Sequence, residues 1–389
     1  FRSLFGIALY GCVQMVVTPT DPGPAAELAP QPPARPVPRR ICILSEDLAG
    51  APDEGVKKFT LSLAGALRGM HEVTVLSTRG PVAADGVRLV PAPRTFLGGR
   101  LRTALRRARP ELLVYAACPS TTFFSFVRCR ILRAYCPGAT IVLLGLQPRT
   151  HARPQRRLVR FLAPDLVCVQ TAVSARYLTR LGCATALLPS GVDTSTFRPV
   201  AADRRRALRA RYGLPADAPV ALHVGHLQAG RNIRVLAELA ARGVCRPLLV
   251  TSTSTDREAD LARELRAAGV FVLTDYQPHI EELYQLADCY VFPVESADNA
   301  IEVPLSVLEA CACDLPVVTT RFGGLVRLFG ETPCDALAFV DSSEALVAAV
   351  ARLCRPRPGG TRALVAPYAW EAIATALLDH ALGKEAPRA

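Results

Sequence analysis

Apolar residues follow two alternating rhythms along this chain. Short β-branched runs open a first series: "ICIL" at 41–44, "HEVTVLS" at 71–77, "LLVYAA" at 112–117, "TIVLL" at 140–144 and "LVCVQ" at 166–170. Between them the spacing turns helical. Phe59, Leu61, Leu63, Ala64 and Leu67 mark one helix that closes at Gly69, and further helices are predicted near Thr122–Ala134, Leu158–Leu162 and Ala175–Leu181. A second series runs "VALHVG" (220–225), "PLLVTST" (247–253), "VFVLT" (270–274), "CYVFPV" (289–294), "LPVVTT" (315–320) and "ALAFV" (336–340), again with helical segments between. Strands alternating with helices predict α/β architecture, with parallel sheets covered on both faces.

The rhythm breaks at Leu188–Pro199, "LPSGVDTSTFRP", where Pro, Ser, Gly and Asp cluster as they do in turns. The break divides the chain into an N-terminal Rossmann-like domain over 39–188, a linker over 189–200 and a C-terminal Rossmann-like domain over 201–389. One arrangement this allows has the last helix packed back on the N-terminal domain. Ahead of them, residues 1–38 read as an apolar and Pro-rich extension: Leu4–Val17 is short for a membrane span and contains Gln14, and a Pro/Ala-rich tether follows. A truncated or over-extended start is the expectation there. Ligands of such sheets bind at the C-terminal ends of the strands, here in a central cleft faced by both domains.

Composition changes this picture in two places. Charge is split unevenly: residues 1–200 hold 26 Lys and Arg against 11 Asp and Glu, and the remainder 20 against 23. The excess suits an anionic partner, such as a membrane surface, or equally an Arg-biased genome decorating solvated helices. Two segments sharpen the membrane expectation. In Gly98–Pro110, Leu101, Ala104, Leu105 and Ala108 share a helical face and five Arg occupy the rest; in Arg153–Leu162, Arg156, Arg157 and Arg160 stand beside Leu158 and Phe161. Neither segment interleaves aromatics as a nucleic-acid surface does, so no nucleic-acid partner is expected. The 13 Cys form no CxxC pair and several fall in strand-like runs, which predicts buried thiols in a reducing compartment and hence a cytoplasmic protein, with peripheral contact at the inner membrane face left open.

The chain lacks GxxxxGK[ST], HExxH, GxSxG and a strand-following GxGxxG, so ATPase, zinc-protease, hydrolase and simple dehydrogenase chemistries lack their parts. It also lacks a DxD pair, so no metal-held diphosphate and no cofactor are expected. Four segments of the second half resemble family 4 of the glycosyltransferases, the retaining, glycogen-synthase-like group with the GT-B fold: "LPSGVDTSTFRP", "VGHLQAGRN" (224–232), "AIEVPLSVLEACACDLPVVTT" (300–320) and "FGG" (322–324). The first half matches more loosely, through a loop ending in Gly55 and "LSLAGALRGMHEVTVLS". The resemblance implies two domains facing a cleft and a nucleoside-diphosphate-sugar donor bound on the C-terminal one.

A metal-free donor site needs fixed cations and N–H donors where the leaving diphosphate gathers charge. Arg231, expected at a helix start after the first strand of the second domain, is the candidate phosphate clamp, with Gly225 beside it. His226 stands where the family usually has Arg; it either donates to phosphate or fills space beside His223. Pro304–Ala312 is predicted as a helix whose leading N–H groups, at Leu305 and Ser306, point at the diphosphate. By the resemblance, Glu309 receives the ribose hydroxyls. The family's first glutamate falls at Ile301, so Glu302 is the candidate substitute in the catalytic set, with Asp298 and Asn299 as other polar choices. The family's N-terminal-domain histidine has no counterpart near Tyr115–Ser120, and His151 is the nearest alternative on the acceptor side, with Gly55 at the cleft. Lys57 and Lys58 are read as solvated, and His71, His279 and His380 as structural. The reading is a retaining, metal-independent hexosyltransferase acting on an unknown acceptor, a lipid-linked one among the options. A catalytically inactive nucleotide-sugar-binding homologue and a sugar-nucleotide epimerase on the same fold stay open as alternatives.

Overall fold

A computed structural model describes residues 37–80, 85–253, 258–331, 334–355 and 359–383. The apolar N-terminal segment and most of its tether lie outside the described residues. The first domain contains β1 (Arg40–Asp47), α1 (Gly55–Arg68), β2 (Glu72–Arg79), β3 (Val87–Leu89), α2 (Gly99–Ala108) and β4 (Leu112–Ala116). It continues through α3 (Phe123–Tyr135), β5 (Thr140–Gly145), α4 (Arg153–Leu162), β6 (Leu166–Val169), α5 (Ala172–Arg180) and β7 (Thr185–Leu187). Its seven strands are parallel, in the order β3-β2-β1-β4-β5-β6-β7. Every residue of β4 is buried, which is why that strand reads as a continuous apolar run. The two edge strands, β3 and β7, are three residues long, too short for a periodic pattern to reveal them.

The second domain contains α6 (Ala202–Arg211), β8 (Val220–Gly225), α7 (Val235–Ala241), β9 (Arg246–Thr251), α8 (Ala259–Ala267), β10 (Phe271–Leu273) and α9 (Ile280–Leu286). There follow β11 (Cys289–Phe292), α10 (Leu305–Ala312), β12 (Val317–Thr320), α11 (Leu325–Phe329), β13 (Leu337–Val340), α12 (Ser343–Leu353), α13 (Thr361–Val365) and α14 (Trp370–Leu382). Six parallel strands run in the order β10-β9-β8-β11-β12-β13. In each sheet the order reverses beside the first strand of the domain, β1 or β8. That is where an open parallel sheet opens a ligand crevice at its strand C-termini.

The linker is held rather than loose. Asp193 accepts hydrogen bonds from the backbone and hydroxyl groups of Ser195 and Thr196. Burial alone would raise its carboxyl pKa, and these bonds bring it below the ordinary value. Helix α14 lies on the first domain: Trp370, Ile373, Ala374 and Leu377 share a core with Phe59, Leu63 and Leu67 of α1, and the rings of Phe59 and Trp370 meet edge-on at 5.1 Å. Polar contacts also stitch the domains at the base of the cleft. Val303 N–H donates to Gln170 Oε1 at 2.8 Å, Ser190 Oγ donates to the Val303 carbonyl at 2.6 Å, and Glu302 N–H donates to the Leu146 carbonyl at 3.0 Å.

Candidate active site

Between the strand ends of the two sheets lies a cavity of about 610 Å³, lined from both domains. Its C-terminal wall starts where β8 ends at Gly225. The chain then makes a short 3-10 turn, Ala229–Arg231, closed by Asn232 in the left-handed conformation at φ 57°. Arg231 therefore sits on a tight turn, four residues before α7 begins, and not at a helix start. The turn, closed by Asn232, brings the Arg231 side chain back over Gly225. A Cβ on Gly225 would stand 2.6 Å from Arg231 Nη2, so a larger residue there would push the guanidinium from its place.

Arg231 is 4% exposed. Its Nη1 donates to the Asn299 carbonyl, its guanidinium lies over the Phe292 ring at 5.9 Å, and its Nε has no hydrogen-bond partner. Burial lowers its pKa to about 10, which still leaves it charged at neutral pH. No carboxylate pairs with it among the described residues. A buried cation without a counter-charge is costly, and an anion in the cavity would offset that cost.

Two imidazoles flank this cation. His223 is fully buried and donates Nδ1–H to the Val291 carbonyl at 2.8 Å; burial and then the Arg231 charge push its pKa down to about 3. His226 lines the cavity, and burial, then Arg231, lower its pKa to about 4 against a weaker opposing pull from Asp53. His226 is thus neutral near pH 7, a hydrogen-bond donor and not a second cation.

Opposite, Pro304 caps α10, and Leu305 and Ser306 present its first turn to the cavity. Glu309, 4% exposed, reaches the same space one turn on. Its Oε2 accepts from Tyr284 OH at 3.0 Å, and its Oε1 lies 2.5 Å from Lys58 Nζ of the other domain. Lys58 is therefore not a solvated lysine. Its neighbour Lys57 is not one either: it is buried and donates to the Ala49 carbonyl at 2.6 Å. Helix α1 directs both inward, because Glu54 caps its N-terminus by accepting from Val56 and Lys57 N–H and so sets the phase of the first turn. Gly55 lies at the cavity against Ile301, whose Cγ2 stands 3.3 Å from where a Cβ would be.

Gly55, Gly225, His226, Arg231, Leu305, Ser306 and Glu309 are thus brought together at one cavity. Glu302 and His151 are not. Glu302 turns away to the start of α5, where its Oε1 accepts from Thr171 Oγ1 at 2.8 Å and Ser174 Oγ at 2.5 Å. Ile301 fills the space against Gly55 at the cavity, and the Glu302 side chain lies away from it. His151 packs under α5, stacked on Tyr177 and bonded to its hydroxyl at 2.9 Å. Two contacts across the cleft went unread in the sequence. Asp53 Oδ2 accepts from both N–H and Oγ1 of Thr253 at 2.5 Å, and Arg149 pairs with Asp298. Such pairs lie 200 and about 150 positions apart, beyond the reach of any local pattern. Lys58 was within reach, since it follows Gly55 by one helical turn.

With this geometry in view, the chain can be set beside known proteins. Residues 218–355 match the family model described as "Glycosyl transferases group 1". The chain is 31% identical over 267 residues to the D-inositol 3-phosphate glycosyltransferase of Xylanimonas cellulosilytica, covering 60% of this chain and 62% of that protein's length. It is 27% identical over 299 residues to a GDP-mannose-dependent alpha-(1-6)-phosphatidylinositol monomannoside mannosyltransferase of Mycolicibacterium smegmatis, covering 69% of this chain and 78% of the relative. In fold it matches Anabaena Alr3699/HepE, solved in complex with UDP, with a TM-score of 0.63 at 17% identity over 88% of this chain and 95% of that one. The architecture is GT-B. Within it, the match to the group 1 glycosyl transferase model falls on the C-terminal domain, the one that contains Arg231 and Glu309.

Proposed function

We propose that this protein is a glycosyltransferase that moves a sugar from a nucleoside-diphosphate sugar to an acceptor with retention of anomeric configuration and without a metal. The observation that carries the reading is Arg231: a buried guanidinium with no carboxylate partner among the described residues, facing a cavity beside a neutral histidine and the first turn of α10. That combination suits a diphosphate, which needs charge from the guanidinium and directed N–H groups from the helix start. Glu309 is the group for the ribose hydroxyls, held in place by Lys58 and Tyr284.

In the proposed reaction the glycosidic C–O bond to the diphosphate breaks as charge develops on the leaving oxygen. Arg231 and His226 stabilise that charge, and the acceptor hydroxyl attacks from the same face while the departing phosphate takes its proton. The cross-cleft pairs Asp53–Thr253 and Lys58–Glu309 tie the two walls of the cavity together. The buried thiols of Cys42, Cys129, Cys168 and Cys311 suit a reducing, cytoplasmic setting.

The inactive nucleotide-sugar-binding homologue stays as a second reading on one observation: Ile301 and Glu302 put no carboxylate where the donor sugar would lie. A donor-hydrolysis assay over UDP-, GDP- and ADP-sugars separates the two. Release of free sugar that Arg231→Ala abolishes supports transfer chemistry. Nucleotide binding with no turnover of any donor supports the second reading, and neither binding nor turnover defeats both.

A further inference from the structure

Helices α2, α3, α4 and α5 all lie on one face of the N-terminal sheet, where Leu105, Phe126, Val159 and Leu178 share a core; α1 and α14 cover the other face. These four helices contain 13 Arg and no Asp or Glu. Arg-rich composition alone would give such a count, and α6 provides the comparison. Each of its five Arg has a carboxylate: Arg204 and Arg211 on Glu282, Arg205 and Arg209 on Asp288, and Arg206 on Asp203. Among the described residues, only Arg128 and Arg133 of the four-helix layer are so paired, and none of the eight Arg of α2 and α4 has a carboxylate partner.

The apolar face read for α2 is not free, since Leu101, Ala104 and Leu105 fill the core. Other apolar side chains stand out instead. Phe161 is 64% exposed and Leu158 50% on α4, Phe124 63% at the start of α3 and Val173 68% at the start of α5. The Arg160 guanidinium lies 4.4 Å over the Phe161 ring. Helices α3 and α5 begin at the C-terminal ends of β4 and β6, on the side where the cleft opens.

We propose that this layer docks on an anionic membrane surface, its arginines on lipid phosphates and its exposed apolar side chains in the interface. A nucleic acid would satisfy the arginines but offers no stacking partner for Leu158 or Val173. Resting on the function proposed above, docking in this orientation presents a membrane-borne acceptor to the cleft; the docking itself does not depend on that reading.

The test is co-sedimentation of the full chain with vesicles of phosphatidylcholine alone, or with about one third phosphatidylglycerol, at low and high salt. Binding is expected only with phosphatidylglycerol, and raised salt should weaken it. The double variant Arg153→Gln/Arg157→Gln is expected to lower partitioning about 30-fold, near fivefold per arginine. Phe161→Ser should weaken binding at both salt concentrations, and Arg206→Gln on α6 should leave it unchanged. Absence of binding to the anionic vesicles at low salt, equal binding to both lipids, or an equal loss from Arg206→Gln would overturn the proposal. Binding of single-stranded RNA in place of vesicles would do so too. Nucleotide titration of the same variants keeps this result separate from the fate of the donor site.

Discussion

Lys58 of the first domain and Glu309 of the second form an ion pair across the cleft, with Nζ 2.5 Å from Oε1 and Glu309 almost wholly buried. Breaking such a pair from one side strands a buried charge. Lys58→Met is expected to cost about 3 kcal/mol of stability, and Lys58→Met/Glu309→Gln together to cost clearly less than the sum of the two single changes. Urea unfolding of the four proteins gives the coupling. Additive losses would mean that the two residues do not sense each other.

Glu309 is also assigned to the ribose. Glu309→Gln should weaken a ribonucleoside diphosphate by about tenfold or more while leaving its 2′,3′-dideoxy analogue nearly unchanged, because the charge-assisted bonds to two hydroxyls disappear. Calorimetric titration of both ligands decides it. Equal losses for the two would assign Glu309 to holding Lys58 and nothing else.

Gly225 provides a second route to Arg231. Its backbone is not in the left-handed region, so Gly225→Ala adds no backbone strain, yet the new methyl would stand 2.6 Å from Nη2 and 3.0 Å from Cζ of Arg231. The variant should fold and bind nucleotide about as poorly as Arg231→Ala, and the double variant should be no worse than either. Binding unchanged by the methyl would show that the guanidinium is not needed where it lies.

The two imidazoles predict a pH dependence of stability. His223 and His226 have folded pKa values lowered to about 3 and about 4, against an ordinary 6.5. As pH falls below 6.5 the unfolded chain takes up protons that the folded one refuses until near 4, so stability falls across that window. The urea midpoint should be lower at pH 5 than at pH 7, and the drop should be smaller in His226→Gln. An identical drop in the variant would contradict the depressed His226 value.

The fold was legible because buried parallel strands announce themselves as unbroken apolar runs, and β4 and β11 do so here. The short edge strands β3 and β7 were not, since three residues carry no period. At the site, the family resemblance over 224–232 and 300–320 points to Arg231 and Glu309, and the fold brings both side chains to the one cavity. Period and spacing say nothing of which way the Glu302 side chain turns; Ile301 takes the cleft side, and Glu302 accepts from the Thr171 and Ser174 hydroxyls at the start of α5. Lys58 was read as solvated because lysine usually is, and only the fold brings a buried carboxylate to it.

The central claim is that Arg231 holds the donor diphosphate, and calorimetric titration of UDP, GDP and ADP into the wild type and Arg231→Ala tests it most directly. Loss of a charge-assisted contact of about 1.5–3 kcal/mol predicts a ten- to hundredfold weaker Kd for whichever nucleotide binds. The variant should keep its unfolding free energy within about 1 kcal/mol of the wild type, since among the described residues the side chain it loses has no carboxylate partner. A folded Arg231→Ala protein that binds the nucleotide as tightly as the wild type would contradict the account.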